Sequence, residues 1–224
     1  KEMGRPVEME FAVNLSPDGK SSTFYLLQIR PIVDTSQNLS INWEEISQEQ
    51  VLFSSHNVLG HGQLDDIRHI LYVKTEGYTP AHNEEIAAEI RQINAKMTQL
   101  GHSFLLIGPG RWGSSDPWLG IPVKWTDISA ATVITEQVLP GYSVEPSQGT
   151  HFFHNLTSLG VGYFTLDKKD NDSMDSIWLT QQPAQYESAH LRLLELPEPL
   201  TVLMDGHNGR GVILKGNHLP SSIL

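Results

Sequence analysis

Three side chains near the start of the chain are of the types that handle a metal-bound phosphate: Glu10, Gln28 and Arg30. A carboxylate oxygen is a hard ligand for Mg²⁺, which takes one or two carboxylates together with phosphate oxygens. Arginine presents a planar fork of donors that matches a phosphoryl group, and glutamine adds a neutral donor. Such groups position and neutralise a phosphoryl group during its transfer. The elements that must carry them are visible in the pattern. Met9, Phe11, Val13 and Leu15 alternate with Glu8, Glu10, Ala12 and Asn14, the period of two of a half-buried strand. Ser16-Pro17-Asp18-Gly19-Lys20 has turn chemistry, and residues 23–31 form a second strand rich in aromatic and β-branched side chains. A register with Glu10 opposite Gln28 sets Met9 against Ile29, Phe11 against Leu27 and Val13 against Tyr25. Glu8 then faces Arg30, and the other face carries Glu10, Gln28 and Arg30 together. The same residues also fit a plain surface ion pair between Glu8 and Arg30.

Two later loops carry chemistry of their own. Gly108-Pro109-Gly110-Arg111-Trp112-Gly113-Ser114-Ser115-Asp116-Pro117-Trp118 follows a short apolar strand. Its glycines allow close backbone approach to an anion, and Arg111 supplies a fork for phosphate or carboxylate. It is neither a Walker loop nor a dinucleotide-binding turn. The alternative is a structural loop pinned by Trp112 and Trp118, with Arg111 paired to Asp116. In Pro146-Ser147-Gln148-Gly149-Thr150-His151-Phe152-Phe153-His154-Asn155, hydroxyls and imidazoles crowd a short span. His151 suits a general acid or base, or a phosphate donor. His151 and His154 lack the carboxylate or third histidine of a recognisable metal set, and packing histidines are the competing reading. The expectation is that both loops converge on one anion pocket, with Ser114, Ser115, Ser147 and Thr150 giving hydroxyls between Arg111 and His151.

Gly4-Arg5-Pro6-Val7-Glu8-Met9-Glu10-Phe11, followed by Tyr25-Leu26-Leu27-Gln28-Ile29-Arg30-Pro31, resembles the end of the ATP-grasp domain of phosphoenolpyruvate synthase and pyruvate phosphate dikinase. The family pattern is D-I-E-[WF], a short turn, then L-Q-x-R-P. The resemblance implies Glu10 as the metal ligand, Gln28 and Arg30 as the catalytic phosphate-side residues, and ATP with Mg²⁺ as cofactors. It covers residues 4 to 32. Met9 stands where the family often has Ile and Glu8 where it often has Asp, and neither change touches the chemistry. The basic N-terminal lobe of the ATP-grasp fold, the T-x-G-G-x-x-[SC]-H phosphohistidine motif and the pyruvate-binding barrel do not occur in these residues. The implied parent is therefore an ATP-dependent phosphotransferase with upstream domains, and this chain is its C-terminal piece, without turnover alone. Residues 108–153 also resemble an uncharacterised C-terminal region of some bacterial phosphoenolpyruvate-synthase-like proteins, which brings no established role for Arg111 or His151.

Composition narrows the partners. A net charge of −11 without a basic cluster argues against nucleic acid and against an anionic membrane surface. The absence of cysteine excludes disulfides and thiolate metal sites and fits a reducing compartment, so cytoplasm is the expectation. A small phosphorylated or carboxylated ligand remains as the partner class.

The organisation expected is a hairpin in residues 1–34, a polar linker in 35–49, and an α/β or α+β domain in 50–224 with more strand than helix. Residues 83–100 form the one clear helix, with Ile86, Ile90, Ile93, Met97 and Leu100 on one face. Thr79-Pro80 starts it and Gly101 stops it. Strands are expected at 51–55, 67–73, 103–107, 131–137, 161–166, 191–196, 200–204 and 211–215. Gly60-His61-Gly62 is read as a turn, and 176–190 as holding a second helix interrupted by Pro183. So many strands argue against a doubly wound parallel sheet. The domain either binds the acceptor or phospho-intermediate of the phosphotransferase, or is a non-catalytic regulatory or assembly module.

Overall fold

The structure, a computed structural model, describes residues 7–16, 21–31, 41–139, 156, 159–167 and 170–216. The chain forms two compact units, Lys1–Ser36 and Gln37–Leu224.

The first unit is an antiparallel ribbon of β1 (Val7–Leu15) and β2 (Ser22–Pro31). Alternation of apolar and polar residues sets Met9 opposite Ile29 and Glu10 opposite Gln28, with Glu8 opposite Arg30. The register then shifts between Glu10 and Phe11, so Phe11 opposes Leu26 and Val13 opposes Phe24. The regular pairing of Phe11 with Leu27 and Val13 with Tyr25 is thereby corrected. A bulge gives β2 one extra residue, and Phe11 stacks on Phe24 with ring centroids 5.0 Å apart. Tyr25 lies opposite Ala12 instead.

The second unit is a strand-rich mixed α/β structure. Its parallel centre is β5 (His61–Val73), β6 (Phe104–Pro109), β9 (Ala131–Gln137) and β10 (Gly162–Leu166), hydrogen-bonded in that order. Antiparallel strands extend it: β13 (Leu191–Asp205), β14 (Arg210–Leu214), β3 (Val51–Ser55) and β11 (Ser173–Met174) follow outward from β5. β12 (Ala184–Glu187) also pairs with β13. Beyond β10 lies β4 (Val58–Leu59). Only His56 and Asn57 connect β3 to β4, although these strands stand toward opposite ends of the strand order. Two residues reach roughly 10 Å at most, so the sheet must curl until its ends meet. Phe53 of β3 and Phe164 of β10 accordingly touch edge to face, centroids 5.9 Å apart.

Each face of the parallel centre is covered, which explains the unbroken apolar run Phe104-Leu105-Leu106-Ile107, buried throughout. Leu105 and Ile107 look into the curl with Phe53, Ile70, Val133 and Phe164. Phe104 and Leu106 look toward α1 (Asn83–Leu100), which buries Ile86, Ile90, Ile93 and Met97 at helical spacing. Full burial of each such side chain stabilises by about 1.5–3 kcal/mol. The helix begins after a 3₁₀ turn, Pro80–His82, started by Thr79, and ends at Gly101 in the left-handed region. Leu100 is the one exception to the predicted apolar face, being 55% exposed.

Other expectations are revised by particular residues. Residues 191–196 and 200–204 belong to one strand, β13, whose register is irregular between Glu195 and Leu200. Pro197 and Pro199 fall there and cannot donate to a ladder. Gly60 alone separates β4 from β5, and His61 and Gly62 open β5 rather than forming a turn. In the 176–190 stretch, α2 (Ser176–Gln181) ends before Pro183, and β12 follows. Residues 43–45 and 48–50 form 3₁₀ turns, and Ile46 is buried against Val51, Leu203, Val212 and Leu214.

Candidate functional site

Parallel α/β sheets, open or closed, bind ligands beyond the carboxyl ends of their strands. Here the chain leaves β6 through Gly110, whose positive φ of 65° suits glycine, and immediately forms β7 (Arg111–Trp112). β7 pairs in parallel with β8 (Gly120–Ile121), and a Cβ on Gly120 would lie 2.1 Å from the Arg111 carbonyl oxygen. The Arg111 loop is thus a small ribbon laid across the end of the sheet.

Trp112 fixes that ribbon. Its indole Nε1–H donates to the Thr135 carbonyl (2.8 Å) and its backbone N–H to Glu136 Oε1 (3.0 Å). Tyr163 Oη–H donates to Glu136 Oε2 (2.5 Å). Glu136 is a buried carboxylate, 3% exposed, held at the end of β9 by neighbours on β7 and β10. The loop tip closes on itself: Ser114 Oγ–H donates to the Asp116 carbonyl (2.8 Å), and Asp116 Oδ1 accepts the Trp118 N–H (2.9 Å). Asn83, the first residue of α1, donates from Nδ2 to the carbonyls of Pro117 (2.6 Å) and Gly120 (3.0 Å).

These contacts sort the sequence-derived candidates. Trp112 pins the loop with its buried indole, whereas Trp118 is 66% exposed and joins the turn through its backbone N–H. Asp116 is engaged by Trp118, and among the described residues no ion pair joins it to Arg111. Arg111 is half-buried beside the Trp112–Glu136 link, Ser115 is exposed, and the hydroxyl proton of Ser114 is committed within the turn. Ser147, Thr150 and His151 lie outside the described residues, as does His154. On the other unit, Glu10 and Gln28 are directly opposed, and Arg30 takes the register position two residues along.

Sequence reasoning passed over Glu136 and Tyr163, which read only as strand residues. A carboxylate inside the apolar strand Ala131–Gln137 was the available signal, because such a group is buried only with donors around it. It also passed over the histidines. His69 stacks on His102 (4.8 Å between centroids, 20° apart), while His82 lies tilted against His190 (4.6 Å, 35°) and His61 against His207 (4.7 Å, 58°). Burial and then the neighbouring His102 hold the His69 imidazole below its ordinary value. Separately, His56 Nδ1 lies 3.1 Å from the buried Asp172 Oδ1, which also accepts the His56 N–H (2.8 Å).

Among the described residues no group of three or more acidic or histidine side chains is arranged to hold a metal ion. Among the described residues no helix is long and apolar enough to cross a membrane. Comparison with protein family models, curated proteins and solved structures returns no match for this chain.

Proposed function

We propose that the β1–β2 ribbon is one wall of a Mg²⁺ and phosphate site in an ATP-dependent phosphotransferase of the phosphoenolpyruvate synthase type. The observation that carries this reading is the direct opposition of Glu10 and Gln28, with Arg30 two positions further along β2. The bulge starts just past that pair, between Glu10 and Phe11, so it leaves this end in regular antiparallel register. Glu10 would supply an oxygen ligand to Mg²⁺, whose charge would offset that of the phosphates. Gln28 and Arg30 would donate to the phosphoryl oxygens as charge shifts during transfer.

In the same reading, residues 37–224 present the phosphoryl acceptor, a small carboxylate or phosphate, to Arg111. Support comes from the position of Arg111 beyond the carboxyl ends of parallel strands, on a ribbon that Trp112 and Asn83 hold in one conformation. The test is Glu10→Gln in the full-length polypeptide, followed through ATP-dependent phosphotransfer against Mg²⁺ concentration. The substitution keeps size and hydrogen bonding but removes a charged metal ligand, so the Mg²⁺ requirement should rise by about tenfold or more. An unchanged Mg²⁺ dependence in a folded variant overturns the reading.

A further inference from the structure

We propose that the His82–His190 pair is a proton-controlled latch on the Arg111 loop. His82 ends the 3₁₀ turn that leads into α1, and its ring lies 4.6 Å from that of His190, centroid to centroid, at 35°. His190 precedes β13, so the pair ties the start of the helix to the sheet. The residue after His82 is Asn83, fully buried, whose Nδ2 holds the Arg111 loop through the Pro117 and Gly120 carbonyls. The latch and the loop are therefore joined by one peptide unit.

Histidine changes charge in the range in which cells vary pH. Two neutral imidazoles stack favourably, whereas two imidazoliums at this spacing repel. Glu85 Oε2, in the first turn of α1, is 3.5 Å from His190 Nε2 and compensates a charge on that ring. His82 Nδ1 is buried without a hydrogen-bond partner, so a proton there would find no acceptor. Among the described residues, Lys74, whose backbone N–H donates to the His190 carbonyl, holds Glu187 at 2.6 Å, Arg192 holds the same carboxylate, and Glu89 accepts from Tyr186. The second proton thus drives the rings apart and withdraws Asn83 from the loop carbonyls. The apolar face of α1 stays packed, because a repulsion worth about tenfold in an equilibrium cannot match the burial of four large side chains.

The experiment is amide hydrogen exchange, expressed as protection factors, on the chain between about pH 7.5 and about pH 5.5. The first turn of α1 and the hydrogen-bonded amides of Gly113 and Leu119 should lose protection by about tenfold together, beyond whatever loss the amides of β6 and β9 share. His190→Phe keeps a ring but cannot take the second charge, and it should abolish the loss. His190→Gln serves the same purpose should the larger ring disturb folding. His102→Phe removes the pair at the far end of α1 and should leave the loop response intact. A loop whose protection is flat across this range, or falls equally in the His190 variants, overturns the latch. So does a loop whose loss is no larger than that of β6 and β9, which would be only the global decline that His69 brings.

Discussion

Trp112 lies over Gly108 so closely that a Cβ added at Gly108 would stand 2.3 Å from the indole ring. The indole is almost fully buried and its Nε1–H is committed to Thr135, so it cannot swing aside. Gly108→Ala should therefore destabilise by about 2–3 kcal/mol, read from a urea midpoint at unchanged slope. Gly62→Ala is the comparison: its φ of 133° is unfavourable for alanine, but nothing lies within 4 Å of the new methyl. Its cost should be smaller, about 1 kcal/mol.

This packing shows what the sequence can and cannot reveal. The Gly108–Trp118 segment could be read as an anion cradle or, alternatively, as a structural loop, because glycines and tryptophans after a buried strand fit either. Which tryptophan does the fixing was not legible, since that depends on the Thr135 carbonyl more than twenty residues away. The helix 83–100 was read to the residue, because period, start signal and Gly101 agree. The bulge at the Glu10/Phe11 step was invisible, because a regular pairing also aligns apolar partners. The paired histidine rings are likewise products of tertiary contact between residues far apart in the chain. The four parallel strands carried no marker of direction, since runs such as Phe104-Leu105-Leu106-Ile107 reveal burial on both faces and nothing more.

Arg111→Ala in the full-length protein should leave thermal stability within a few degrees of the parent, because the loop is held by Trp112 and Asn83. Affinity for a carboxylate or phosphate acceptor should fall by about tenfold or more with the loss of a charge-assisted donor pair. Arg111→Lys should not restore it, since an ammonium lacks the planar fork. Equal acceptor KM values in the parent and Arg111→Ala would remove Arg111 from the proposed site.

Calorimetric titration of this 224-residue chain with ATP·Mg²⁺ should give no binding tighter than about millimolar. The ribbon offers one wall, and phosphates left in water gain little from each charge, about 1 kcal/mol at 4 Å. Micromolar affinity would reveal a nucleotide site elsewhere in residues 37–224.

Stability should fall in two separate steps as pH is lowered, one from His69 and one from Asp127. His69 is held below its ordinary 6.5 by burial and by His102, against the opposing pull of Glu195 and a backbone hydrogen bond with Ser103. The unfolded chain thus takes up a proton near pH 6.5 that the folded chain refuses until lower pH, and stability declines between those two values. Asp127 acts with the same sign at lower pH, though its shift has a different cause. Burial alone would raise it, but the Lys124 N–H (2.9 Å) and the Arg91 guanidinium (3.0 Å) outweigh burial and hold it below 3.8. Its contribution is complete above 3.8 and is lost as pH falls through the lower folded value. Urea midpoints across the acid range should show both declines. His69→Gln should flatten the upper one and leave the lower, while Asp127→Asn should do the reverse. If both variants retained both declines, the acid sensitivity would have to arise from other groups.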